Sequence, residues 1–220
     1  MTDLLADHRD ATLGCTRCAL AQTRTQVVFG AGDPDADLMF VGEAPGYHED
    51  QNGVPFVGQA GKLLETLLNG IGLTRADVYI ANVLKCRPPG NRDPRPEEIE
   101  ACESHLFRQI ELIRPRLVAT LGNFATKLLS GKPTGITRVH GVPQQVTLGE
   151  NAVTLFPLYH PAAALYTRSM LGVLEEDFRR IPQLLGGPAA APVAPVAAEE
   201  PEDAPEDTKV PELAVQLGLF

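Results

Sequence analysis

The sequence predicts an α/β fold with three layers (α/β/α), in which a central, mostly parallel sheet of four strands lies between helices. Two observations support this prediction. Four short apolar runs are spaced along the chain, and each ends at glycine, proline or polar residues, as buried strands do. Stretches with apolar residues at helical spacing separate these runs. Strand and helix that alternate in this order are typical of a parallel sheet with helices on both faces.

The first part of the chain contains the region around which the prediction is built. A short helix is expected over residues 2–10, followed by a weak strand over 27–29 and the first buried strand over 38–41. Glycine and proline are so frequent between Gly42 and Gly58 that we expect no regular element there. A helix with an apolar stripe follows over residues 59–71. A long polar loop between a strand and a helix is where open α/β sheets bind ligands.

The second part supplies the remaining strands and the clearest helix. That helix spans residues 96–114, begins with Pro96 and two glutamates, and ends before Pro115. The other expected elements are a buried strand over 78–84, a basic loop over 85–94, a third strand over 117–121, a short helix to 129, a loose hairpin over 137–146, a fourth strand over 153–158 and a last helix over 169–185.

The charge is distributed unevenly and indicates where the folded domain ends. Residues 187–220 carry seven acids and one base, so that only −3 of the net charge of −9 falls on residues 1–186. A local basic surface for nucleic acid is therefore compatible with the folded part. The segment 187–220 is rich in proline, alanine and acid, which predicts a disordered tail after a domain over 1–186. No signal sequence or membrane-spanning run is evident, so we expect a cytoplasmic protein.

The four cysteines predict a site made of sulfur ligands. Cys15 and Cys18 form a C-x2-C pair, whereas Cys86 and Cys102 stand alone. In a reducing compartment such residues are better explained by metal or cluster ligation than by disulfides, with free buried thiols as the structural alternative. Two thiolates on one turn and two from distant elements complete a tetrahedral site. The spacing does not distinguish a zinc ion from a [4Fe–4S] cluster.

Polar groups follow three of the four predicted strands and should meet at one edge of the sheet. Glu43, Glu49 and Asp50 follow the first strand, Asn82 ends the second, and His160 follows the fourth. A primary amide offers a donor and an acceptor side by side, which matches the imide edge of a pyrimidine. Each residue alone has an ordinary structural explanation, such as a strand-end amide that caps its own backbone. The convergence of these polar residues at one edge of the sheet favours a functional site there.

Four segments and the cysteines together resemble the family 4 uracil-DNA glycosylases, which are iron–sulfur uracil excision enzymes of bacteria and archaea. The segments are GEAPGYHED, GVPFVGQAGKLL, YIANVLKCRPPGNRDP and YHPAAAL, and the resemblance covers residues 10–185. It implies a three-layer α/β/α fold and a [4Fe–4S] cluster on Cys15, Cys18, Cys86 and Cys102. It also implies removal of uracil from single- or double-stranded DNA, which leaves an abasic site.

The resemblance also implies roles for individual residues. Glu49 would be the carboxylate that assists water attack, and His160 would donate to the carbonyl oxygen that gains charge. Asn82 would read the edge of the uracil, and Phe56 would stack on its ring. The remaining residues that the resemblance assigns to the substrate pocket are Gly42, Glu43, Ala44, Gly46 and Asp50.

Two further regions are assigned by resemblance. The segment after the His-Pro pair forms a DNA wedge in the family, which places Leu165 and Tyr166 there. Relatives commonly have an arginine directly after that leucine, and this chain has Tyr166 instead. The carboxyl terminus, QLGLF, resembles the peptide that docks repair proteins on a sliding clamp; its residues are Gln216, Leu217, Leu219 and Phe220.

Two other interpretations compete with a glycosylase. A non-catalytic iron–sulfur protein that binds DNA or senses damage would keep the cysteines and the basic loop, but it would not need Glu49, Phe56, Asn82 and His160 together. An accessory domain related to phage polymerases would lack the same set. The joint presence of these residues favours the enzyme, which we expect to be a monomer with no membrane partner.

Overall fold

A computed structural model describes residues 2–186, and these form nine α-helices, three short 3-10 helices and six strands. The helices are α1 (Thr2–Leu13), α2 (Tyr47–Asn52), α3 (Gln59–Gly70), α4 (Pro96–Ile113), α5 (Asn123–Ser130), α6 (Ile136–Val139), α7 (Pro161–Tyr166), α8 (Arg168–Arg179) and α9 (Ile181–Gly186). The strands are β1 (Ala31–Gly32), β2 (Leu38–Gly42), β3 (Tyr79–Asn82), β4 (Leu117–Leu121), β5 (Gln144–Leu148) and β6 (Asn151–Leu158). The predicted tail, including the clamp-binding residues, lies outside the described residues.

The sheet has the order β1-β3-β2-β4-β6-β5. Its four central strands are parallel, and each of the outermost strands pairs in the antiparallel direction. Strands β2, β3 and β4 are buried along their whole length, as expected for parallel strands that are covered on both faces. The predicted fold class is therefore confirmed.

Alternate residues of β2 face opposite sides of the sheet and so belong to two separate cores. Met39 and Val41 pack with apolar residues of α4 and α5, whereas Leu38 and Phe40 pack with those of α3 and α8. This period of two follows from strand geometry. It establishes the two helical layers on either side of the sheet.

The prediction of four strands was wrong, because the sheet has six. Both missed strands lie at the edges, where one side of a strand meets solvent and the apolar signal is weak. Strand β1 has only two residues, Ala31 and Gly32, and it lies just beyond the strand expected over 27–29. Strand β5 (QQVTL) is mostly polar and only Leu148 is buried, so it lacks the apolar run of a central strand. A short helix, α6, occupies the start of the expected hairpin.

Two helical predictions also differ from the structure. The loop after β2 contains α2, whose amino-terminal end is capped by the Glu49 side chain and whose carboxyl end is closed by Gly53 in a left-handed conformation (φ 70°). The glycines that suggested an irregular segment are thus the boundaries of a short helix. The last predicted helix is divided into α8 and α9 near Pro182, which cannot continue a helical hydrogen-bond pattern. Among residues 2–186, no helix is both long and apolar enough to cross a bilayer.

Candidate active site

The carboxyl ends of the parallel strands surround a cavity of about 240 Å³. Gly42 at the end of β2 lies directly opposite Asn82 at the end of β3. His160 follows β6, and Gly122 follows β4. The cavity is also lined by residues of the loop after β2 and by part of the segment between β3 and α4. Phe56, Asn82 and His160, which are far apart in the sequence, therefore open onto one space.

Gly42 allows this space to be narrow. A Cβ atom on Gly42 would lie 2.4 Å from Oδ1 of Asn82 and 2.6 Å from Cζ of Phe56. These distances are far below ordinary van der Waals contact, so only glycine permits the two side chains to approach the end of β2 so closely.

Asn82 is the most deeply buried polar side chain in the cavity, with 2% of its surface exposed. Its Oδ1 atom has no hydrogen-bond partner within residues 2–186. A buried acceptor without a partner costs free energy, so such an atom is commonly kept for a ligand. The structure thus leaves an unpaired acceptor on a residue that lines the cavity.

Phe56 forms a wall of the cavity in a strained conformation. Its φ angle of +54° is in the left-handed region, which bulky residues rarely adopt. Its ring stacks on the His160 ring, with 5.6 Å between the ring centroids and 28° between the ring planes. A planar ligand could therefore contact an aromatic face close to a ring nitrogen.

Two residues that the sequence did not reveal hold Phe56 in this conformation. Arg75 donates from Nη1 to the carbonyl oxygen of Phe56 (2.8 Å) and from Nη2 to that of Pro55 (2.7 Å). Gly61 in α3 packs against the same peptide, since a Cβ atom there would lie 1.8 Å from the Phe56 oxygen. Both contacts are made to the backbone of the loop, so no pattern of side chains in the sequence could have indicated them.

His160 is positioned as a neutral donor. Its Nδ1 atom accepts the backbone N–H of Ala162 (3.1 Å) at the start of α7. The ring proton of the neutral imidazole therefore lies on Nε2. Burial lowers the pKa of His160 to about 4, and the nearby Glu49 carboxylate opposes this effect only in part.

We expect His160 to remain neutral from about pH 5 to pH 8, because its pKa lies well below the usual value near 6.5. In the unfolded chain the residue takes up its proton near pH 6.5, so its contribution to stability is lost as the pH falls from 6.5 towards 4. Titration of the ring by ¹⁵N NMR checks the expectation. A midpoint near pH 6.5 for His160 would contradict it.

Two glutamates line the cavity in different environments. Glu49 accepts three backbone N–H bonds, from Gly46 (3.1 Å), Val57 (2.8 Å) and Gly58 (2.8 Å). Its carboxylate thus fixes the loop that carries Phe56. Glu43 has no side-chain hydrogen bond within the described part of the chain, and burial, with a smaller effect of Asp93, raises its pKa to about 8.

The other predicted pocket and wedge residues are placed as follows. Ala44 and Gly46 line the cavity, but Gly42 and Asp50 do not; Gly42 lies against the side chains of Asn82 and Phe56. Asp50 is buried and accepts the backbone N–H of Thr25 (2.9 Å), so it ties α2 to the segment before β1. Leu165 and Tyr166 end α7 and are 47% and 68% exposed, so both are accessible to a partner.

All four cysteines are free thiols that line a second, smaller cavity. Three of the sulfurs have hydrogen-bond partners: Cys102 accepts from the Lys85 backbone N–H (3.2 Å), Cys86 accepts from Arg24 (3.4 Å), and Cys15 lies 3.4 Å from Nε2 of His105. Such bonds favour thiolate ligands of a metal or cluster. Within residues 2–186, no group of three or more potential ligands is close enough to hold a single metal ion.

The four thiols supply the ligands that either a zinc ion or a [4Fe–4S] cluster requires. A zinc ion brings four sulfurs to within about 4 Å of one another, since each Zn–S bond is about 2.3 Å. A cluster binds each thiolate through a different iron and therefore needs sulfurs that share a cavity at larger separations. The four cysteines share one cavity.

A buried lysine connects the two cavities. Lys85 is 1% exposed, and its Nζ atom donates to the Asn82 carbonyl oxygen (2.8 Å) and to Oε1 of Gln109 (2.5 Å). The backbone N–H of the same residue donates to the Cys102 sulfur. Lys85 therefore links the strand end that carries Asn82 with the cysteine site.

The fold and the main cavity together define the class of the protein, an α/β fold with a cavity at the carboxyl ends of parallel strands, where such folds bind small ligands. Comparison with known proteins identifies the family. The family model described as the uracil DNA glycosylase superfamily matches residues 29–183. The chain belongs to this superfamily.

Three of the most similar relatives are named type-4 uracil-DNA glycosylase. The one from Sulfurisphaera tokodaii is 47% identical over 83% of this chain and 85% of its own length. The one from Archaeoglobus fulgidus is 48% identical, over 79% of this chain and 89% of its own. The one from Saccharolobus solfataricus is 47% identical, over 83% and 86%. These relatives confirm the resemblance to the family 4 uracil-DNA glycosylases that the sequence motifs indicated.

Proposed function

We infer that the protein is a uracil-DNA glycosylase of base-excision repair, which hydrolyses the N-glycosidic bond between uracil and deoxyribose. Family membership carries the assignment. The observation that best supports it in the structure is the unpartnered, buried Oδ1 of Asn82 in the same cavity as the stacked rings of Phe56 and His160. This combination suits a planar base that offers an N–H group.

The pocket explains how uracil would be distinguished from cytosine. Uracil presents an N3–H donor beside the O4 acceptor, and a carboxamide can pair with both. Cytosine presents an unprotonated N3 and an amino group, so with the amide in the orientation that pairs with uracil it would leave the Oδ1 atom of Asn82 facing a lone pair. A buried mismatch of this kind is costly. The target base must first leave the helix to reach the pocket.

We propose that the chemistry depends on charge stabilisation by His160 and Glu49. As the bond between N1 of uracil and C1′ of the sugar breaks, the electron pair remains on uracil and positive charge develops on the sugar. The Nε2–H of His160 would donate to the uracil oxygen that gains charge, and a carboxylate would face the sugar. Water then adds to C1′, and its proton passes to a base.

Glu49 is our candidate for the carboxylate that assists the water. A carboxylate has about four acceptor positions, and three backbone N–H groups already bind Glu49, so one position remains for a water molecule. Glu43 is the second candidate. Its carboxyl group lines the same cavity, and a pKa of about 8 suits a base that exchanges protons near neutral pH.

The pH profile separates the two candidates. If Glu43 is the base, kcat/KM should rise with pH up to about 8 as the carboxyl ionises, and Glu43→Gln should remove this rise. If Glu49 is the base, the profile of Glu43→Gln should keep its wild-type shape while Glu49→Gln loses activity at every pH. Single-turnover rates from pH 6 to pH 9 provide the measurement.

The assignment as a whole is tested with a short oligonucleotide that contains one uracil. After incubation with the protein, treatment with alkali should break the strand at the abasic site. The same oligonucleotide with cytosine at that position is the control and should remain intact. An intact uracil strand at high protein concentration would overturn the proposal.

We also propose that Cys15, Cys18, Cys86 and Cys102 hold a [4Fe–4S] cluster, with a structural role. The hydrogen bonds to two of the sulfurs and the shared cavity support this proposal. Such a cluster would hold the segment between β3 and α4 in place. Visible absorbance and an iron content near four per chain are the expected results, whereas one zinc per chain would refute it. A reducing cytoplasm is the compartment that suits these thiols.

Residues 1–186 form the proposed catalytic domain, and 187–220 the proposed tail. We propose that Gln216, Leu217, Leu219 and Phe220 bind a sliding clamp, since an apolar tip on a polar tether suits a hydrophobic pocket. Deletion of residues 216–220 should abolish binding to the clamp and leave excision on short oligonucleotides unchanged. A full-length protein without affinity for the clamp would refute this. We propose that the enzyme acts as a monomer.

A further inference from the structure

A second aromatic residue lies beside the cavity and has no role in the proposed chemistry. Tyr47 begins α2, directly after Gly46, which lines the cavity. It is 53% exposed. The guanidinium carbon of Arg87 lies 5.2 Å from the centre of its ring, within the range of a cation–π contact. We call these two residues the Tyr47–Arg87 platform.

The platform is held in place by a residue that lines the cavity. Nε of Arg87 donates to Oδ1 of Asn91 (2.7 Å). Asn91 and the preceding Gly90 both adopt left-handed conformations, with φ angles of 55° and 67°. This turn directs the Asn91 side chain towards Arg87 while Asn91 itself remains part of the cavity wall. The platform is therefore fixed at the edge of the pocket.

Stacking is the interaction that such a pair offers. Exposed aromatic rings, together with arginine, bind the bases of single-stranded nucleic acid, and every base has a face that can stack. The position at the pocket edge limits the distance to the target. A base bound there would belong to a nucleotide close to the one that enters the cavity.

We propose that the Tyr47–Arg87 platform binds the base next to the extruded uridine and that it does so in single-stranded DNA. This inference rests on the proposed function. In a duplex the neighbouring base is paired and stacked in the helix, so it is not available to Tyr47. In a single strand it is free, and stacking adds to the affinity for the substrate.

The test compares variants of Tyr47 on one uracil-containing strand, alone and annealed to its complement. Tyr47→Leu should lower kcat/KM on the single strand by about 5-fold to 150-fold, which corresponds to the stacking of one base. The effect on the duplex should stay below about threefold. Tyr47→Phe keeps the ring and should keep the activity. Val142→Ala changes another exposed apolar residue and should match the wild type on both substrates.

A second comparison identifies the ligand directly. An abasic analogue replaces the nucleotide on the 5′ or the 3′ side of the uracil, and affinity is measured by fluorescence anisotropy. Removal of the base on one side should weaken binding by the wild type but not by Tyr47→Leu. Equal losses in both proteins on both sides, or equal losses of activity on single and double strands, would overturn the proposal and leave Tyr47 as a brace for the loop.

Failure of this inference can be told apart from failure of the proposed function. Uracil release by the wild type tests the function, whereas the dependence of affinity on the neighbouring base tests the platform. Melting temperatures within about 2 °C of the wild type confirm that the Tyr47 variants fold. If Tyr47→Leu does not fold, Tyr47→Ser removes the ring and leaves a polar side chain at this exposed position, so it provides the same comparison.

Discussion

Replacement of Asn82 by alanine is expected to slow uracil excision by about two to four orders of magnitude. The amide is buried at the end of β3, and its Oδ1 atom has no partner within residues 2–186. The substrate would supply that partner, so the variant loses an interaction that water cannot replace in a closed pocket. Stability should change little, because the substitution also removes a buried acceptor that is unsatisfied in the free protein.

Single-turnover rates with enzyme in excess measure this effect without interference from product release. Asn69→Ala is the matched control, since Asn69 lies exposed in α3 and no side-chain hydrogen bond to it is found in the described part of the chain. Its rate should equal that of the wild type. A rate for Asn82→Ala within about threefold of the wild type would show that the amide does not read the base.

Replacement of Gly61 by alanine is expected to destabilise the protein by about 3 kcal/mol and to impair uracil binding. The added methyl group would lie 1.8 Å from the carbonyl oxygen of Phe56, which is backbone and cannot rotate away. The loop must move, and the hydrogen bond from Arg75 to the same oxygen is then lost. Phe56 would leave the position in which it stacks with His160.

Gly70→Ala serves as the control for this substitution. Gly70 ends the same helix, and no atom lies within 4 Å of a Cβ added there. Alanine favours the helix over glycine by up to about 1 kcal/mol, so the melting temperature should stay equal or rise slightly. For Gly61→Ala a fall of roughly 5–10 °C is expected. Equal melting temperatures for the two variants would contradict the close contact between α3 and the Phe56 peptide.

The central strands could be predicted from the sequence because they are buried on both faces. Residues 38–41 are apolar without interruption, residues 117–121 are apolar except for Thr120, and both runs are strands in the structure. The edge strands could not be predicted in the same way. Ala31 and Gly32 are strand residues only because β3 lies beside them, which is a tertiary effect.

The sequence indicated the residues that line the cavity better than the residues that hold its loop in place. Strand ends in a parallel sheet converge, so the positions of Asn82 and His160 followed from the fold class. Arg75 and Gly61 act on the backbone of the loop, and the left-handed conformation of Phe56 cannot be read from its side chain. Tyr47 and Arg87 lie in segments 40 residues apart that meet only in the folded chain.

Because Lys85 contacts both the end of β3 and the cysteine site, we expect these two regions to unfold locally as one cooperative unit. The carbonyl oxygen of Asn82 and the sulfur of Cys102 are both bound by this one buried residue. A fluctuation that releases Cys102 would free the Lys85 amide and loosen the end of β3. The amide hydrogens of residues 82–86 should therefore exchange with solvent together, and oxidation of the Cys102 sulfur should weaken the position of Asn82 although Cys102 itself lies outside the pocket.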